Sequence, residues 1–372
     1  MTKLYLVRHA EAEGNLYRRA QGHTDGRLTQ CGTAQLEPLA ARFAEIPLDA
    51  VYSSDLERAY RTAGAIAGAR GLEIIPKRGL REIYFGQYED RPWAMSAFSG
   101  DEEYLKFSRG ELDFSIPGGE SGRQVRERMT AALSEIAGAH DGGAVCAVSH
   151  GAALQYFLSQ FGKIGAWTLD NTSISLCEYE NGKFSIVYAG DNAHTGELST
   201  RLRIKAPRSD GLPAGLELWF RPVRLPDERG ALLAEGLAAW RDVYGTAEGF
   251  DGEYFLHVCA ESASANPRYL QFVMLGGEPR GILHLKDNGR LAIGDGHIAL
   301  LRLWPELCGH GLGVQLLGEA VSVYRAAGRS HLALRVWEKN LRAQAFYTKH
   351  GFSEQGREKG CFGDLLIMRR EI

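Results

Sequence analysis

The sequence is poor in the residues that mark several classes of protein. Its 372 residues include only 6 cysteines, spread from Cys31 to Cys361, and no two of them form a C-x-x-C pair. Closely spaced cysteines are the pattern that zinc sites and thiol redox motifs require. We therefore interpret the cysteines as free thiols and expect no metal centre.

Long apolar runs and basic clusters are also missing. No stretch approaches the roughly 18 apolar residues of a membrane-spanning helix, and the N-terminus lacks the apolar segment of a signal peptide. A formal net charge of −3 offers no basic excess for nucleic acid or acidic lipid. These absences predict a cytoplasmic protein with small-molecule partners and no nucleic-acid or membrane partner.

What is present is an ordinary globular composition in a long chain. Hydrophobic residues make up 44% and charged residues 24%, and the length exceeds the about 100–200 residues of a typical domain. Apolar periodicity fades over residues 198–215, where proline, glycine, serine and aspartate accumulate. We predict domains over residues 1–200 and 216–372, joined by a linker at 201–215.

The two halves differ in their order of elements. The first alternates predicted strands (4–7, 50–53, 72–75, 144–148) with predicted helices and ends in a hairpin around Asn181-Gly182, which indicates an α/β fold with a mostly parallel sheet. Thr29 and Ser121 are candidate helix caps. The second half groups its strands and helices differently and predicts an α+β fold with a mixed sheet.

Basic and imidazole side chains follow three strands of the first half. Arg8-His9 follow the first strand, Arg58 opens the helix after the second, and His150 follows the strand at 144–148. Ligand crevices lie at the carboxyl ends of such strands. Phosphoryl transfer needs positive charge around the phosphoryl oxygens, an uncharged nucleophile and a carboxylic acid that moves a proton. Arginine and imidazole meet the first two needs.

Six segments of this half resemble, in order, the motifs of the histidine phosphatase (phosphoglycerate-mutase-like) superfamily. They are L-V-R-H-A-E at 6–11, Q-G followed by D and L-T within 21–29, S-S-D-L-E-R-A at 53–59, L-R-E followed by G within 80–86, P-G-G-E-S at 117–121 and V-S-H-G at 148–151. The resemblance spans residues 1–197 and implies a three-layer αβα fold. It further implies that His9 becomes phosphohistidine, that Arg8, Arg58 and His150 bind the phosphoryl oxygens, and that Glu82 donates the proton, without a cofactor.

The resemblance also implies an outer set of substrate-binding residues. These residues are Asn15, Gln21 and Gly22. A purely structural role as turn-forming residues of a loop explains them equally well. Arg61, one helical turn after Arg58, is interpreted as a solvated or ion-paired residue. Ala10 stands where many members have glycine.

The phosphatases and the mutases of this superfamily share the catalytic residues, so these residues do not distinguish hydrolysis from phosphoryl transfer to a second substrate. Family mutases carry a longer insertion between the acid and the second histidine, whereas here 68 positions separate Glu82 from His150. The spacing favours hydrolysis of a small phosphomonoester, and a bisphosphate-dependent phosphoglycerate-type mutase is the alternative. Residues 93–113, rich in aromatic and acidic side chains, are predicted to cover the site.

A glycine-rich loop, C-G-H-G-L-G-V at 308–314, opens a predicted helix in the second half. Such loops offer backbone N–H groups to an anion. Together with P-E-L at 305–307, N at 340, F-Y at 346–347 and G-F at 351–352, the loop resembles motifs A and B of the GNAT family of N-acetyltransferases. This second resemblance covers residues 216–372.

The GNAT resemblance implies acetyl-CoA as cofactor and an amine as acceptor. The residues it assigns to the cofactor are Leu303, Cys308, Gly309, His310, Gly311, Leu312, Gly313, Val314 and Asn340. Tyr347 is either the acid that protonates the leaving thiolate or a core aromatic. Cys308 replaces the family's usual arginine or glutamine, so a side-chain contact to the cofactor is lost, and no general base is identified.

The sequence therefore predicts a bifunctional chain, a metal-independent phosphatase fused to an acetyltransferase. The tandem arrangement suggests the hypothesis that the two act on successive intermediates. The alternative for the second half is a domain that serves only as a binding or interaction module.

Overall fold

The computed structural model of the chain describes residues 1–98, 102, 106, 111–164, 168–205, 215–287 and 294–372. They form two compact units, Met1–Arg91 with Ser99–Gly215, and Pro92–Phe98 with Leu216–Ile372. Ten of the 21 residues of the predicted cover at 93–113, and residues 206–214 of the predicted linker, lie outside the described residues. No helix in the described part is long and apolar enough to cross a membrane.

The first unit is built on six strands: β1 (Thr2–Arg8), β2 (Ala50–Ser53), β3 (Ile74–Pro76), β4 (Ala144–Ser149), β5 (Ile174–Glu180) and β6 (Lys183–Asp191). Their order in the sheet is β3-β2-β4-β1-β5-β6. β1 to β4 pair in parallel, whereas β5 and β6 are antiparallel. The predicted α/β class of this half is confirmed.

Several helices of the first unit begin at a side-chain cap or end at a glycine. Their bounds are Glu13–Tyr17, Gln30–Phe43, Glu57–Arg70, Gly122–Gly138, Gly151–Leu158 and Thr200–Lys205. Thr29 and Ser121 cap two of them, as predicted. Gly71 ends another in the left-handed region (φ 66°), and the N–H of Leu72 bonds back to Ala67, so β3 begins at Ile74 and not at residue 72.

The core of this unit packs two helices on the sheet. Val7, Val51 and Val148 of the strands are fully buried against Phe43 and Ile66 of the helices Gln30–Phe43 and Glu57–Arg70. Burying such side chains contributes about 1.5–3 kcal/mol each. These contacts hold the strand ends that carry the predicted site.

The predicted linker at 201–215 does not begin as irregular chain. Its first residues belong to the helix Thr200–Lys205. Thr200 is 5% exposed, and its hydroxyl lies within hydrogen-bond distance of Glu11 and Gln35. These bonds fasten the helix to the first unit.

The second unit has seven strands: β7 (Trp219–Pro222), β8 (Leu270–Leu275), β9 (Glu278–Lys286), β10 (Asp295–Leu303), β11 (His331–Trp337), β12 (Ser353–Gly360) and β13 (Gly363–Glu371). They lie in the order β12-β13-β11-β10-β9-β8-β7. Its helices are Trp93–Phe98, Arg229–Tyr244, Gly252–Ala265, Gly313–Ala326 and Leu341–Lys349. The sheet is mixed, as predicted, since β10 and β11 are parallel and the other pairs antiparallel.

The two parallel strands of this sheet stay together for only part of their length. β10 and β11 pair from Asp295 opposite His331 to Ile298 opposite Leu334. Beyond that point β10 continues beside β9 and β11 continues beside β13. The centre of the sheet therefore opens toward the glycine-rich loop that follows β10.

Candidate active site

His9 is the first residue beyond β1, at the edge where β1, β2 and β4 end together. The residue is 4% exposed. Its Nδ1 lies 2.7 Å from the carbonyl oxygen of Ala10, which can only accept a hydrogen bond, so Nδ1 carries the proton. The other ring nitrogen, Nε2, keeps its lone pair, as a nucleophilic imidazole nitrogen must.

Both active-site imidazoles are uncharged at neutral pH. Burial lowers the pKa of His9 well below its usual 6.5, and the positive charges of Arg58 and Arg8 lower it further. The ring of His150 lies 5.1 Å away, and its pKa is lowered by burial and by Arg58. Neutral His9 is the form that a nucleophile requires.

Arg8 and Arg58 bring two guanidinium groups to the same edge. Arg8 Nη1 donates to the carbonyl of Leu169 at 2.7 Å, and Arg58 donates to the carbonyls of Gly22 at 2.7 Å and Thr24 at 3.1 Å. Burial lowers the pKa of Arg58 to about 10, so it remains charged at neutral pH. These bonds to backbone fix both side chains in place.

Three buried nitrogens of these residues lack a hydrogen-bond partner among the described residues: Arg8 Nε, Arg58 Nε and His150 Nδ1. Leaving a buried polar group unpaired costs about 1–3 kcal/mol, so such groups are rare in folded proteins. The other ring nitrogen of His150 lies 2.8 Å from the hydroxyl of Ser54. Three unpaired nitrogens on the predicted residues indicate a place for the oxygens of a ligand.

Glu82 is held by the start of the helix that follows His150. Its Oε1 accepts hydrogen bonds from the N–H groups of Ile83 at 3.0 Å and Ala153 at 2.8 Å, and its Oε2 accepts one from Ala152 at 3.1 Å. These three bonds fix the orientation of the carboxyl group. Oε2 makes the fewer bonds and is the oxygen available for proton transfer.

The three residues predicted as an outer substrate-binding set, Asn15, Gln21 and Gly22, form hydrogen bonds within the site. Asn15 Oδ1 accepts from the N–H of Ala12 at 3.0 Å, and the carbonyl of Gln21 accepts from Arg58 at 3.1 Å. A Cβ on Gly22 would lie 2.4 Å from the carbonyl oxygen of Ile83, so only glycine fits there. Gln21 and Gly22 thus position Arg58 through their carbonyls.

Two other predictions concern neighbours of the core set. The side chain of Arg61 is 56% exposed and lies 3.6 Å from Glu57, which confirms its interpretation as a surface ion pair. Ala10 is fully buried, and its N–H donates to the hydroxyl of Thr62 at 3.0 Å. The tight packing of Ala10 explains why a small side chain stands next to the nucleophile.

Sequence reasoning missed Asn171, which lies behind the nucleophile. Asn171 is 1% exposed, and its Nδ2 donates to the carbonyl of His9 at 2.9 Å and to Asn15 Oδ1 at 3.2 Å. Thr172 next to it adopts φ 59°, unusual for a β-branched residue, and its N–H donates to the carbonyl of Arg8 at 3.0 Å. The only sequence signal was a short polar run before a predicted strand.

The Arg128–Glu120 pair was also missed. Arg128 donates to the carbonyl of Glu82 at 2.9 Å and pairs with Glu120 at 2.7 Å. Glu120 in turn accepts from the N–H of Tyr84 at 2.9 Å. The P-G-G-E-S turn therefore supports the loop that carries the acid, and its glutamate has a structural role.

In the second unit the glycine-rich loop presents unpaired backbone groups. Gly309 and Gly311 have φ of 86° and 73°, and a Cβ on either would meet no atom within 4 Å. The structure gives the N–H groups of Gly309, Gly311 and Gly313 no hydrogen bond to any described residue, whereas the N–H of Cys308 bonds to Pro305 at 3.1 Å. The loop, which includes His310 and Leu312, leads into the helix Gly313–Ala326, whose second residue is Val314.

Cys308 turns its side chain toward the end of β10. Its Sγ lies 3.6 Å from the carbonyl oxygen of Leu303, the distance of a weak thiol hydrogen bond. The thiol is thereby engaged with one of the backbone groups predicted to contact the cofactor.

Motif B is also in place. Asn340 caps the helix Leu341–Lys349, since its Oδ1 accepts from the N–H of Ala343 at 3.1 Å. Tyr347 is 9% exposed, its ring packs on Phe346 and Phe352, and burial raises the pKa of its hydroxyl. The hydroxyl is therefore protonated at neutral pH. Across the described residues, no three His, Cys, Asp or Glu side chains are grouped so that they could hold a metal ion.

The fold and the site define a domain of the histidine phosphatase type, followed along the chain by an acetyltransferase-like domain. Residues 4–192 match the family model of the histidine phosphatase superfamily, branch 1, and the chain belongs to this superfamily. Residues 235–352 match the model of the GNAT acetyltransferase family, so the same chain carries a GNAT domain.

Individual relatives resemble the first half of the chain. The probable phosphoglycerate mutase GpmB of Escherichia coli O1:K1 is 35% identical over 206 residues, which cover 52% of this chain and 95% of that protein. Among solved structures, YhfR of Bacillus stearothermophilus is 29% identical with a TM-score of 0.49 and covers 52% of this chain and 99% of its own. A mutant phosphoserine phosphatase from Entamoeba histolytica, solved with phosphoserine, is 29% identical with a TM-score of 0.46 over the same shares.

Proposed function

We propose that the first unit hydrolyses small phosphomonoesters through a phosphohistidine on His9. The supporting observation is the set of buried, unpaired nitrogens on Arg8, Arg58 and His150 beside a neutral imidazole. Phosphoryl oxygens would accept hydrogen bonds from these groups, and the arginines would neutralise the charge that spreads over them in the transition state.

The residues fit a two-step reaction. In the first step the lone pair on His9 Nε2 forms a bond to phosphorus while the bond from phosphorus to the ester oxygen breaks, and that oxygen takes a proton from Glu82 Oε2. In the second step water gives its proton to Glu82 as its oxygen attacks phosphorus, and the nitrogen–phosphorus bond breaks. Inorganic phosphate leaves, and both residues return to their starting state.

His150 would act as a donor and not as a second nucleophile. When the Ser54 hydroxyl donates to His150 Nε2, the proton of the neutral ring lies on Nδ1, the nitrogen that has no partner. That proton can point at a phosphoryl oxygen.

A phosphoglycerate-type mutase is the competing activity, and GpmB of E. coli carries that description. We favour hydrolysis because only 68 positions separate Glu82 from His150, which leaves water a path to the phosphohistidine. Chase of the phosphorylated protein with a monophosphate acceptor tests this: release of inorganic phosphate is expected, and transfer to the acceptor would establish the mutase.

For the second unit we propose acetyl-CoA-dependent acetylation of an amine. The loop at 308–314 offers unpaired backbone N–H groups suited to a pyrophosphate, and the protonated Tyr347 can supply a proton to the thiolate that leaves. Acetyl-CoA would supply the acetyl group. Calorimetric titration with acetyl-CoA tests the binding step, and no measurable heat would favour a binding or interaction module of another kind.

Coupling of the two reactions remains the hypothesis that the tandem arrangement suggests. If one small metabolite serves both units, acetylation of its amine should depend on prior removal of its phosphate. Unrelated substrates for the two units would exclude the coupling.

A further inference from the structure

The face of the second sheet that packs against the helix Gly252–Ala265 carries three neighbouring basic or imidazole side chains. Lys286 on β9 is paired with His297 on β10, and His297 is paired with Ala333 on β11. Arg335 lies two residues beyond Ala333 and shares its face. Side chains of directly paired residues point to the same side of a sheet, so the three groups are neighbours. They lie next to the point where β10 and β11 part.

His297 is a buried imidazole with an unsatisfied nitrogen. It is 5% exposed, and its Nδ1 has no hydrogen-bond partner in the described part of the chain. Burial lowers the pKa of His297 to about 3, and the positive charges of Arg335 and Lys286 contribute, so the ring is neutral. An unpaired polar group in such a place needs an explanation.

A second buried histidine on the same face provides the contrast. His284 is 3% exposed, but its Nε2 lies 2.9 Å from the hydroxyl of Ser262 and its Nδ1 lies 3.7 Å from the thiol of Cys259. Its hydrogen-bonding capacity is met within the core. Of the two buried histidines on this face, only His297 has a ring nitrogen without a partner among the described residues.

The charges around His297 leave one positive charge in excess. Arg335 forms an ion pair with Glu358, whereas the half-buried Lys286 has no ion pair with any described residue. Glu261 faces this region from the helix Gly252–Ala265, but it is 66% exposed and lies 3.3 Å from His257. A ligand group with a single negative charge would balance the excess, and a doubly charged phosphate would exceed it.

We propose that Lys286, His297 and Arg335 form a binding site for one carboxylate group of the acceptor, which makes the acceptor an amino-acid-like amine. This inference rests on the acetyltransferase activity proposed above. The carboxylate would accept hydrogen bonds from the Lys286 ammonium and from His297, close to the point where β10 and β11 part.

Binding is tested on the full chain with two probes that differ only in charge, N-acetylglycine and N-acetylglycinamide, by NMR of the histidine rings. N-acetylglycine should shift the His297 signal, assigned with His297→Gln, and the amide should bind at least tenfold more weakly. Lys286→Gln should weaken N-acetylglycine at least fivefold. Lys359→Gln removes the same charge from an exposed lysine of the same sheet and should change nothing.

Equal binding of the two probes, binding of neither, or an unaltered affinity in Lys286→Gln would overturn the carboxylate site. Acetylation assays separate this result from the function itself. Turnover of amines without preference for a free amino acid over its amide would contradict the site and support the acetyltransferase. Binding of N-acetylglycine with no amine acetylated would contradict the acetyltransferase and leave the carboxylate site standing.

Discussion

The candidate ligand sites of the two units are built from different chemical groups, side chains in one and backbone in the other. In the first, side-chain nitrogens of Arg8, Arg58 and His150 converge from three strand ends and remain unpaired. In the second, backbone N–H groups of one loop remain unpaired, and the side chain of Cys308 bonds to its own strand end. A site of the first kind depends on residue identity, whereas one of the second kind depends on backbone conformation and tolerates changes of side chain.

The largest effect is expected from His9→Ala, which removes the nucleophile of the first unit. Phosphomonoester hydrolysis should fall by about 10³-fold or more, because the covalent route is lost. A panel of phosphomonoesters with a metal chelator present measures this.

Arg61→Ala is the matched control, since Arg61 is an exposed arginine one turn from Arg58. It should keep hydrolysis within twofold of wild type. Activity that survives in His9→Ala, or that the chelator abolishes, would contradict the proposed mechanism.

Asn171→Ala tests whether a residue behind the nucleophile positions it. The change removes the Asn171 Nδ2 donor from the His9 carbonyl and from Asn15 Oδ1, at a cost of about 1–3 kcal/mol. We expect kcat to fall about 10- to 100-fold with KM little changed, since substrate contacts remain. Steady-state kinetics measures the split, and a rise in KM alone would show that Asn171 contacts substrate instead.

Gly311→Ala and Cys308→Ala separate backbone from side chain in the second unit. Alanine in the left-handed region costs about 1–2 kcal/mol, so Gly311→Ala should weaken acetyl-CoA about 5- to 30-fold. Cys308→Ala should change the affinity less than threefold. Calorimetry checks both, and a larger effect at Cys308 would show that side-chain identity matters in this loop as well.

The last prediction concerns His284, a buried histidine of the second unit. Burial lowers the pKa of His284 to about 3, whereas an unfolded chain has an ordinary value near 6.5. Between those values the unfolded state binds more protons, so the free energy of unfolding is highest above pH 6.5 and falls on acidification. The expected loss is about 1.4 kcal/mol per pH unit below 6.5 for this histidine.

Hydrogen exchange in β9 and β10 at several pH values measures that loss. His284→Gln removes the titrating group but keeps a hydrogen-bonding side chain, so its exchange should depend less steeply on pH than in the wild type. An identical slope in both proteins would show that His284 is not responsible.

The core residues proposed for the first unit could be predicted from the sequence because their side chains are basic, acidic or imidazole groups and lie in ordered motifs, most of them next to strand ends. It could not reach Asn171, which acts on His9 from 162 positions away. Arg128 looks like any arginine on a helix until the structure shows it bonded to the Glu82 loop. Long-range hydrogen bonds leave no periodicity, and periodicity is what sequence patterns report.

In the second unit the sequence predicted the mixed sheet and the glycine-rich loop, but not the carboxylate site. Lys286, His297 and Arg335 are neighbours only because three strands pair in a particular register. Register depends on turns and on packing along the whole sheet, which local patterns do not specify.

Glu82 combines a proposed chemical role with a structural one, and the two depend on each other. The carboxylate that is to exchange a proton with substrate also accepts the N–H groups of Ala152 and Ala153 at the start of the helix after His150. When Glu82 takes up a proton, that helix start loses its anionic partner, and when Glu82 gives the proton away the partner returns. In the reaction proposed above, the bonds between Glu82 and this helix start would therefore weaken and strengthen with each proton transfer.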